Sequence, residues 1–236
     1  MNHALVITKR ELKSYFNSTI AYIFIAVFLL VSGWFFASNL FIAGQADLRF
    51  IIGSILPLVL FFFVPAITMR LFAEEKRAGT LELLMTMPVE TSQIVIGKFL
   101  AAFTLLAMAI ILTFPYLITV IVLGNPDVGV SIAGYIGLLL LGGTYLSIGM
   151  FASSITRNQI VAFIISFVIL LVLYMLDKVT MLFSGPIANI LEYISVDFHF
   201  QNIARGVLDS RDLIYFLSII VFFLFLTNRS LKDLKG

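Results

Sequence analysis

The charged residues of this chain concentrate in one stretch, which lies between long apolar segments. Its ionisable side chains are Arg70, Glu74, Glu75, Lys76, Arg77, Glu82, Glu90 and Lys98. The chemistry open to such a stretch is nucleotide binding, contact with lipid headgroups or contact with a partner protein. The spacing of the residues separates these three possibilities.

Nucleotide binding is not supported by Gly97-Lys98, the only Gly-Lys pair in the chain. A phosphate-binding loop needs G-x-x-x-x-G-K-[ST], in which backbone amides surround the phosphates and the lysine reaches the terminal ones. Here Phe99 follows the lysine, and Ser92 stands where the first glycine should be. We therefore expect Gly97 to relieve crowding and Lys98 to extend to the membrane interface. We expect no nucleotide-binding domain in this chain.

Catalytic, metal and ion-pathway chemistry also lacks the necessary residues. The only histidines are His3 and His199, and there is no cysteine, so no ligand cluster is predicted and His199 is expected at the surface. No Asp, Glu, Lys or Arg lies in the middle of an apolar segment, although such residues mark proton relays and ion pathways. Secondary transport, ion conduction and intramembrane proteolysis are therefore disfavoured, and a non-catalytic chain is predicted.

The composition indicates a membrane protein. Hydrophobic residues make up 61% of the chain and charged residues 12%, whereas soluble domains average about 45–50% and about 25%. Six apolar segments are long enough to span a bilayer. They are predicted near residues 20–42, 51–69, 99–123, 132–154, 160–176 and 213–227. They do not alternate apolar and polar residues as barrel strands do. The predicted fold is an all-α membrane domain, residues 1–236, with six transmembrane helices.

Small residues and prolines predict how these helices pack. The fourth segment carries three small-xxx-small pairs, Ala133/Gly137, Gly143/Ser147 and Gly149/Ser153, which favour close helix packing. Pro57, Pro65 and Pro115 predict bends in the second and third segments.

The distribution of Lys and Arg predicts the orientation. If the N-terminus is cytoplasmic, eleven of the 15 basic residues fall in cytoplasmic segments and four in outer ones. The positive-inside rule then places both termini in the cytoplasm. The net charge of +2 is small, and the basic residues behind it are explained by this asymmetry. It does not indicate nucleic-acid binding.

The stretch from residue 70 to 98 then becomes a cytoplasmic loop. Gly79 predicts a helix stop, and Thr80 predicts the cap of a short helix that ends before Pro88. Leu81, Leu84 and Met85 would share one apolar face, and Thr91 or Ser92 would cap the third span. This face could lie among lipid headgroups or in a groove of another protein. The glutamates favour the protein partner, because acidic residues gain little at an anionic membrane surface.

Two further segments are amphipathic. Residues 1–18 predict a helix along the membrane surface, either a plain basic anchor or a contact for a partner. Residues 177–212 predict two short helices, one through Ile187, Ile190, Leu191 and Ile194 and one through Phe200, Ile203, Ala204 and Val207. The alternative for this outer segment is an interfacial loop. Asp209 or Ser210 is expected to cap the last span.

Three sequences in the chain resemble the permeases of ABC-2-type transporters. They are EEKRAGTLELLMTMPV followed by IVIGK, the N-terminal RELKSYFNSTIAY, and FQNIARGVLDSRDLIYFLS before the last span. The resemblance is greatest to the permeases of gliding motility and nitrous-oxide-reductase maturation. That group often has Ser-Pro where this chain has Ser18-Thr19.

The resemblance implies a half-permease of a bacterial inner membrane. A second permease chain would complete the pathway, and a separate ABC ATPase subunit would carry ATP and Mg. Residues 1–18 would form an elbow helix. A coupling helix would contact the ATPase through Glu74, Glu75, Lys76, Arg77, Gly79, Thr80, Leu81, Glu82, Leu83 and Leu84. Short outer helices would help to close an outer gate at Phe200, Ile203, Gly206 and Val207. The implied activity is ATP-driven export, or movement of a substrate between leaflets. The alternative is a membrane scaffold in a motility or maturation machine.

Overall fold

The computed structural model describes residues 3–42, 44, 47–82, 89–124, 126–180 and 185–233, which are almost entirely helical and contain no strand. The helices of these ranges are α1 His3–Asn17, α2 Ile20–Phe41, α3 Leu56–Thr68, α4 Ala73–Ala78, α5 Thr91–Ile111, α6 Phe114–Leu123, α7 Val128–Ser154, α8 Gln159–Val179, α9 Pro186–Ile194, α10 Val196–Ala204 and α11 Ser210–Lys232.

Six helical segments of the described residues are long and apolar enough to cross a membrane. They are Ile20–Phe41, Ile51–Ala78, Thr91–Leu123, Val128–Ser154, Gln159–Val179 and Ser210–Lys232. The predicted all-α membrane fold with six spanning helices is confirmed.

The second and third segments are interrupted close to their prolines. A π-helical turn, Ile51–Ile55, precedes α3, which has Pro57 in its first turn and Pro65 inside it. A turn at residues 69–72 then separates α3 from α4. In the third segment, α5 ends at Ile111 and α6 begins with Pro115 in its first turn. Proline has no N–H to donate to the preceding turn, which accounts for the division of α5 from α6.

The long helix α7 is the centre of the bundle, and its small residues allow other helices to approach closely. A Cβ atom added at Gly134 would lie 2.6 Å from Cγ2 of Ile52, and one at Gly137 would lie 2.9 Å from Cγ2 of Ile203. Gly149 faces Thr68 of α3 in the same way. The predicted role of Gly137 and Gly149 in close packing is confirmed, and Gly134, which was not among the predicted pairs, packs in the same way. α7 thereby contacts α3, α5, α8, α10 and α11.

Hydrogen bonds define two ends of the bundle. Thr8 of α1 bonds the start of α5, and Ser230 near the end of α11 bonds the end of α7. We term this end the α1 side. At the opposite end, termed the far side, α10 bonds the beginning of α11 through His199 and Asp212.

Candidate functional site

Lys98 lies on the α1 side and joins three helices. Its side chain is 2% exposed, and Nζ donates to Glu75 Oε1 at 2.7 Å and to Glu11 Oε1 at 3.1 Å. The ammonium also lies 5.6 Å from the centre of the Phe72 ring. The expectation that Lys98 extends to the membrane interface was wrong. A lysine can be buried here because two carboxylates from α1 and α4 compensate for the water that it loses.

The adjacent Gly97 holds α1 against α5. An added Cβ would lie 2.8 Å from Ile7 Cβ and 2.9 Å from the carbonyl oxygen of Ala4. The Thr8 hydroxyl lies within hydrogen-bond distance of both the Ala4 carbonyl, at 2.9 Å, and the Gly97 carbonyl, at 3.1 Å. The predicted role of Gly97 in relieving crowding is therefore confirmed, and its neighbour is the N-terminal helix.

Ser153 connects the end of α7 to the beginning of α4. Its Oγ accepts from the backbone N–H groups of Phe72 and Ala73, each at 3.0 Å, and donates to the Met69 carbonyl at 3.0 Å. The first N–H groups of a helix have no partner inside that helix. One hydroxyl from α7 therefore satisfies backbone groups that the turn between α3 and α4 leaves free.

Ser154 extends this connection to α11. Its carbonyl accepts from Lys76 Nζ of α4 and from the Ser230 hydroxyl of α11, the latter at 3.3 Å. We term Glu11, Glu75, Lys98, Ser153 and Ser154 the α1-side junction. Through these five residues α4 is bonded to α1, α5 and α7, and α7 in turn to α11.

The predicted coupling residues occupy α4 and the turn that follows it. α4 ends at Gly79, which adopts a left-handed φ of 70°, as the sequence predicts. Residues 80–82 are helical again, and the Thr80 hydroxyl donates to the Glu75 carbonyl at 3.4 Å. Four of these side chains are exposed: Glu74, Arg77, Thr80 and Glu82. Leu83 and Leu84 lie outside the described residues, as do Met85 and Pro88.

Leu81 differs from the predicted apolar face. Its side chain is 4% exposed and belongs to the hydrophobic core of the chain itself. Leu81 therefore attaches the segment to the bundle, and the surface that this segment presents at residues 74–82 is charged and polar.

The beginning of the third segment also differs from the prediction. Neither Thr91 nor Ser92 caps α5, because the N-cap residue is Glu90, whose backbone is extended. The Ser92 hydroxyl instead donates to Glu90 Oε2 at 3.0 Å.

The predicted outer-gate residues lie on the far side, at α10 and the turn after it. Phe200 and Ile203 are fully buried and contact α7 at Gly137. Gly206 has a φ of 95°, and an added Cβ would lie 2.8 Å from Val130 Cγ2 of α7. Val207 is 58% exposed. The structure thus brings three of these four residues onto the first half of α7.

Polar side chains connect α10 to its neighbours. Asp197 accepts from Lys178 of α8 at 3.0 Å, and Gln201 donates to the Gly53 carbonyl at 2.9 Å. His199 Nδ1 lies 2.5 Å from Asp212 Oδ1 of α11. We term Lys178, Asp197, His199, Gln201 and Asp212 the far-side junction.

His199 does not lie at the surface, as expected from the sequence, but is 1% exposed. Its Nε2 atom lies 2.9 Å from the Tyr193 carbonyl, and its ring stacks on Tyr215 with centroids 3.8 Å apart. Both ring nitrogens are therefore satisfied inside the protein. Asp209, by contrast, caps α11 as predicted, because its carboxylate accepts from the Arg211 amide at 2.9 Å.

The two junctions are better suited to connecting helices than to catalysis or metal binding. Among the described residues, no group of three or more His, Cys, Asp or Glu is placed to hold a metal ion. The ionisable groups of both junctions are paired with each other. Burial, and then the charges of Glu11 and Glu75, raise the pKa of the Tyr15 hydroxyl in α1. Tyr15 therefore stays protonated.

Comparison with protein families matches nearly the whole chain. A family model described as ABC-2 family transporter protein matches residues 15–235, which include the far-side junction and all of the α1-side junction except Glu11. No curated protein matches the chain.

Proposed function

Since the chain belongs to the ABC-2 family of transporter proteins, it is a transmembrane subunit of an ABC transporter, and we propose that it forms half of the permease pathway. In this proposal two permease chains, identical or related, combine with two ABC ATPase subunits. The chain is a multi-pass membrane protein. We place it in the bacterial cytoplasmic membrane with both termini in the cytoplasm, in agreement with eleven of its 15 basic residues.

The observation that carries the proposal is the bonding of α4 to the rest of the bundle. α4 is short and lies just beyond the apolar part of the second segment, with Glu74 and Arg77 exposed. Its other side is held by Lys98, Ser153 and the Ser154 carbonyl. A force applied to the exposed side would therefore act on three spanning segments together. Transmission between distant sites requires contiguous packed and hydrogen-bonded elements of this kind.

α7 supplies a direct connection between the two sides of the membrane. Ser153 lies 16 residues after Gly137, which at 1.5 Å per residue corresponds to about 24 Å along the helix. Ser153 belongs to the α1-side junction, and Gly137 contacts Ile203 of α10. We infer that movement of an ATPase dimer against residues 74–84 is passed along α7 to the outer helices at Phe200, Ile203 and Gly206.

In this proposal the chain performs no catalysis. ATP and Mg belong to the partner ATPase, and the permease residues receive its movement. The work done is export of a substrate, or its transfer from one leaflet to the other.

Co-purification followed by an ATPase assay tests this function. The tagged chain should retain a protein that contains nucleotide-binding motifs, identified by mass spectrometry. Native mass measurement should give two permease chains with two ATPase subunits, and hydrolysis should depend on the permease. A stable, active monomer without an ATPase would contradict the proposal.

A second measurement separates transport from mechanical work. Stimulation of hydrolysis by a defined lipid, sugar or peptide in proteoliposomes would support movement of that compound. Hydrolysis that depends on the permease but responds to none of them would favour the scaffold of a motility or maturation machine.

A further inference from the structure

The imidazole ring of His199 is enclosed between the end of α9 and the beginning of α11. Each ring nitrogen faces one oxygen atom: Nε2 lies 2.9 Å from the Tyr193 carbonyl, and Nδ1 lies 2.5 Å from Asp212 Oδ1. A neutral imidazole has one N–H to donate and one nitrogen that can only accept. Because the Tyr193 carbonyl can only accept, Nε2 carries a hydrogen atom. The charge of the ring then depends on whether Nδ1 carries one as well.

A proton also lies between Nδ1 and the Asp212 carboxyl, because two lone pairs do not face each other at 2.5 Å. Asp212 stands in the first turn of α11, where the helix dipole favours an ionised carboxylate. Tyr193 stands in the last turn of α9, where carbonyls lack partners inside the helix and a cation is favoured. The His199 ring also stacks on the face of Tyr215, which attracts a cation. These features place the shared proton on His199.

The other charged groups around His199 are compensated or exposed. Asp197 of α10 is paired with Lys178 of α8, which also binds Asp177. Arg211 of α11 is exposed and Glu192 of α9 is partly exposed, so water and salt screen their charges. The π-helical turn Ile51–Ile55 has no ionisable residue. The packed helices also bring phenols to this junction, which ordinarily stay neutral below about pH 10: Tyr145 of α7, Tyr174 of α8, Tyr193 of α9 and Tyr215 of α11.

We propose that His199 is held as an imidazolium ion that bridges the Tyr193 carbonyl and the Asp212 carboxylate, and that loss of its Nδ1 proton releases α10 from α11. Without that proton, a nitrogen lone pair faces a carboxylate oxygen at 2.5 Å, and the two atoms repel each other. Phe200 and Ile203, which pack on α7 at Gly137, belong to the same helix as His199. The bridge is therefore a pH-sensitive latch on the helix that carries the predicted outer gate.

The direction of the pH effect follows from the number of bound protons. A free imidazole loses its proton near pH 6.5, whereas the closed bridge retains it. Above this pH the closed state binds one proton more than the open state, so each further pH unit raises the opening equilibrium by up to tenfold. Between about pH 4 and pH 6.5 both states bind the same number of protons, and opening does not depend on pH. In the proposed orientation the latch responds to the pH outside the cytoplasm.

Nitrogen NMR of the purified full chain in detergent tests the charge of the ring. In a His3→Gln variant labelled with nitrogen-15 histidine, His199 is the only histidine. His3 itself is exposed and lies on the α1 side. At about pH 7.5 we expect a proton on both ring nitrogens of His199, whereas a free imidazole is doubly protonated in only about a tenth of the molecules. A ring with one unprotonated nitrogen at this pH would overturn the proposal.

Hydrogen exchange measured by mass spectrometry tests the release of α10. The peptide that covers α10 is compared with a peptide from α5 in the same sample, because chemical exchange accelerates with pH in both. The ratio of the two exchange rates should rise by up to tenfold per pH unit above about pH 6.5. A ratio that stays constant with pH in the unmodified chain would contradict the latch.

Asp212→Asn separates the latch from simple packing. The amide of Asn can donate to an unprotonated Nδ1, so a neutral His199 satisfies both of its neighbours and the exchange ratio should no longer depend on pH. Asp209→Asn is the matched control, because Asp209 accepts from the Arg211 amide rather than from His199 and Asn also caps helices. It should keep the pH dependence of the unmodified chain. Equal pH dependence in Asp212→Asn would overturn the proposal.

The NMR measurement requires no change at Asp212, so it tests the proposal also where that variant does not fold. Neither measurement involves an ATPase or a substrate. The latch can therefore fail its tests while the proposed function stands.

Discussion

Lys98 of α5 and Glu75 of α4 form an ion pair of 2.7 Å although 23 residues separate them in the chain. The pair joins the helix that carries the predicted coupling residues to the first turns of the third segment. Glu11 completes it from α1 at 3.1 Å. This relationship makes Lys98 the residue whose loss should most disturb the α1 side.

Lys98→Met should destabilise the protein. The substitution keeps most of the length of the side chain but leaves Glu11 and Glu75 without their cation, and breaking a buried ion pair in this way costs about 3–5 kcal/mol. The midpoint of thermal unfolding in detergent measures the effect. Lys9→Met is the matched control, because Lys9 is exposed on the same side and surface changes stay within about 0.5 kcal/mol. Equal midpoints for the two variants would contradict the assigned role of the pair.

Ser153→Ala should uncouple hydrolysis from substrate movement while leaving ATPase binding intact. The change removes the acceptor of the Phe72 and Ala73 amides and leaves buried N–H groups unpaired, at about 1–3 kcal/mol. α4 would then keep only the hydrogen bond from Lys76 to the Ser154 carbonyl as its polar link to α7, and its movement would be passed to α7 less completely. Pull-down of the ATPase, together with hydrolysis in proteoliposomes, measures the two effects separately.

Ser147→Ala is the control for that experiment. Ser147 is buried on the same helix, but its hydroxyl donates only to the Thr144 carbonyl of its own helix. It should retain both ATPase binding and coupling. If Ser147→Ala and Ser153→Ala behave alike, α7 does not receive movement through Ser153.

Gly97→Ala should displace α1. The new methyl group would lie 2.8 Å from Ile7 Cβ and 2.9 Å from the Ala4 carbonyl, and overpacking of this kind costs about 1–3 kcal/mol. Increased protease cleavage within α1, together with a lower unfolding midpoint, would be the observed result. Gly53→Ala, where the nearest atom is 3.9 Å away, should be neutral. Unchanged cleavage in Gly97→Ala would show that α1 is not held by this contact.

Leu84→Asp tests the coupling helix that the sequence predicts beyond Glu82. If the face of Leu84 is buried in an ATPase groove, an unpaired charge there costs several kcal/mol, which corresponds to at least a hundredfold loss of affinity at about 1.4 kcal/mol per tenfold. Glu90→Ala is the control, because Glu90 makes no side-chain cap of α5. Undiminished ATPase binding by Leu84→Asp would favour the alternative, a helix that lies among lipid headgroups.

Cysteine labelling tests the orientation. The chain has no native cysteine, so a single introduced thiol reports one position. An impermeant reagent should label a cysteine at Asp127 or Glu192 in intact cells and should not label one at Glu90. Labelling at Glu90 would place the α1 side outside the cell and overturn the predicted topology.

Local features could be predicted from the sequence because their causes are local. The six apolar segments follow from length and hydropathy. The helix stop at Gly79 follows from the freedom of glycine to adopt positive φ, and the cap at Asp209 follows from a carboxylate two residues before a free amide. Gly97 and the glycines of α7 indicated close packing, although the sequence did not name the neighbouring helix.

The partners of buried polar groups could not be predicted, because they come from distant parts of the chain. Glu11 lies 87 residues from Lys98, and the Ser153 hydroxyl lies 81 residues from the Phe72 amide. His199 was predicted at the surface because neither Asp212 nor the Tyr215 ring is part of its own helix. The only feature of the sequence that pointed to the α1-side junction was Lys98, which stands at the start of an apolar segment and follows a stretch with several glutamates.

The sequence by itself determined that this chain crosses a membrane six times and belongs with the ABC-2 permeases. The tertiary structure decided which side of each helix faces protein and which faces lipid. Hydropathy cannot separate the two, because lipid tails and a helical interior are equally apolar. The same limit applies to the loop after α4, where the sequence shows that Leu81 is apolar but not what covers it. Leu81 was expected to face a partner and is instead buried in its own bundle. Lys98 and Ser153, which hold α4 in place, became visible only when segments far apart in sequence were packed together.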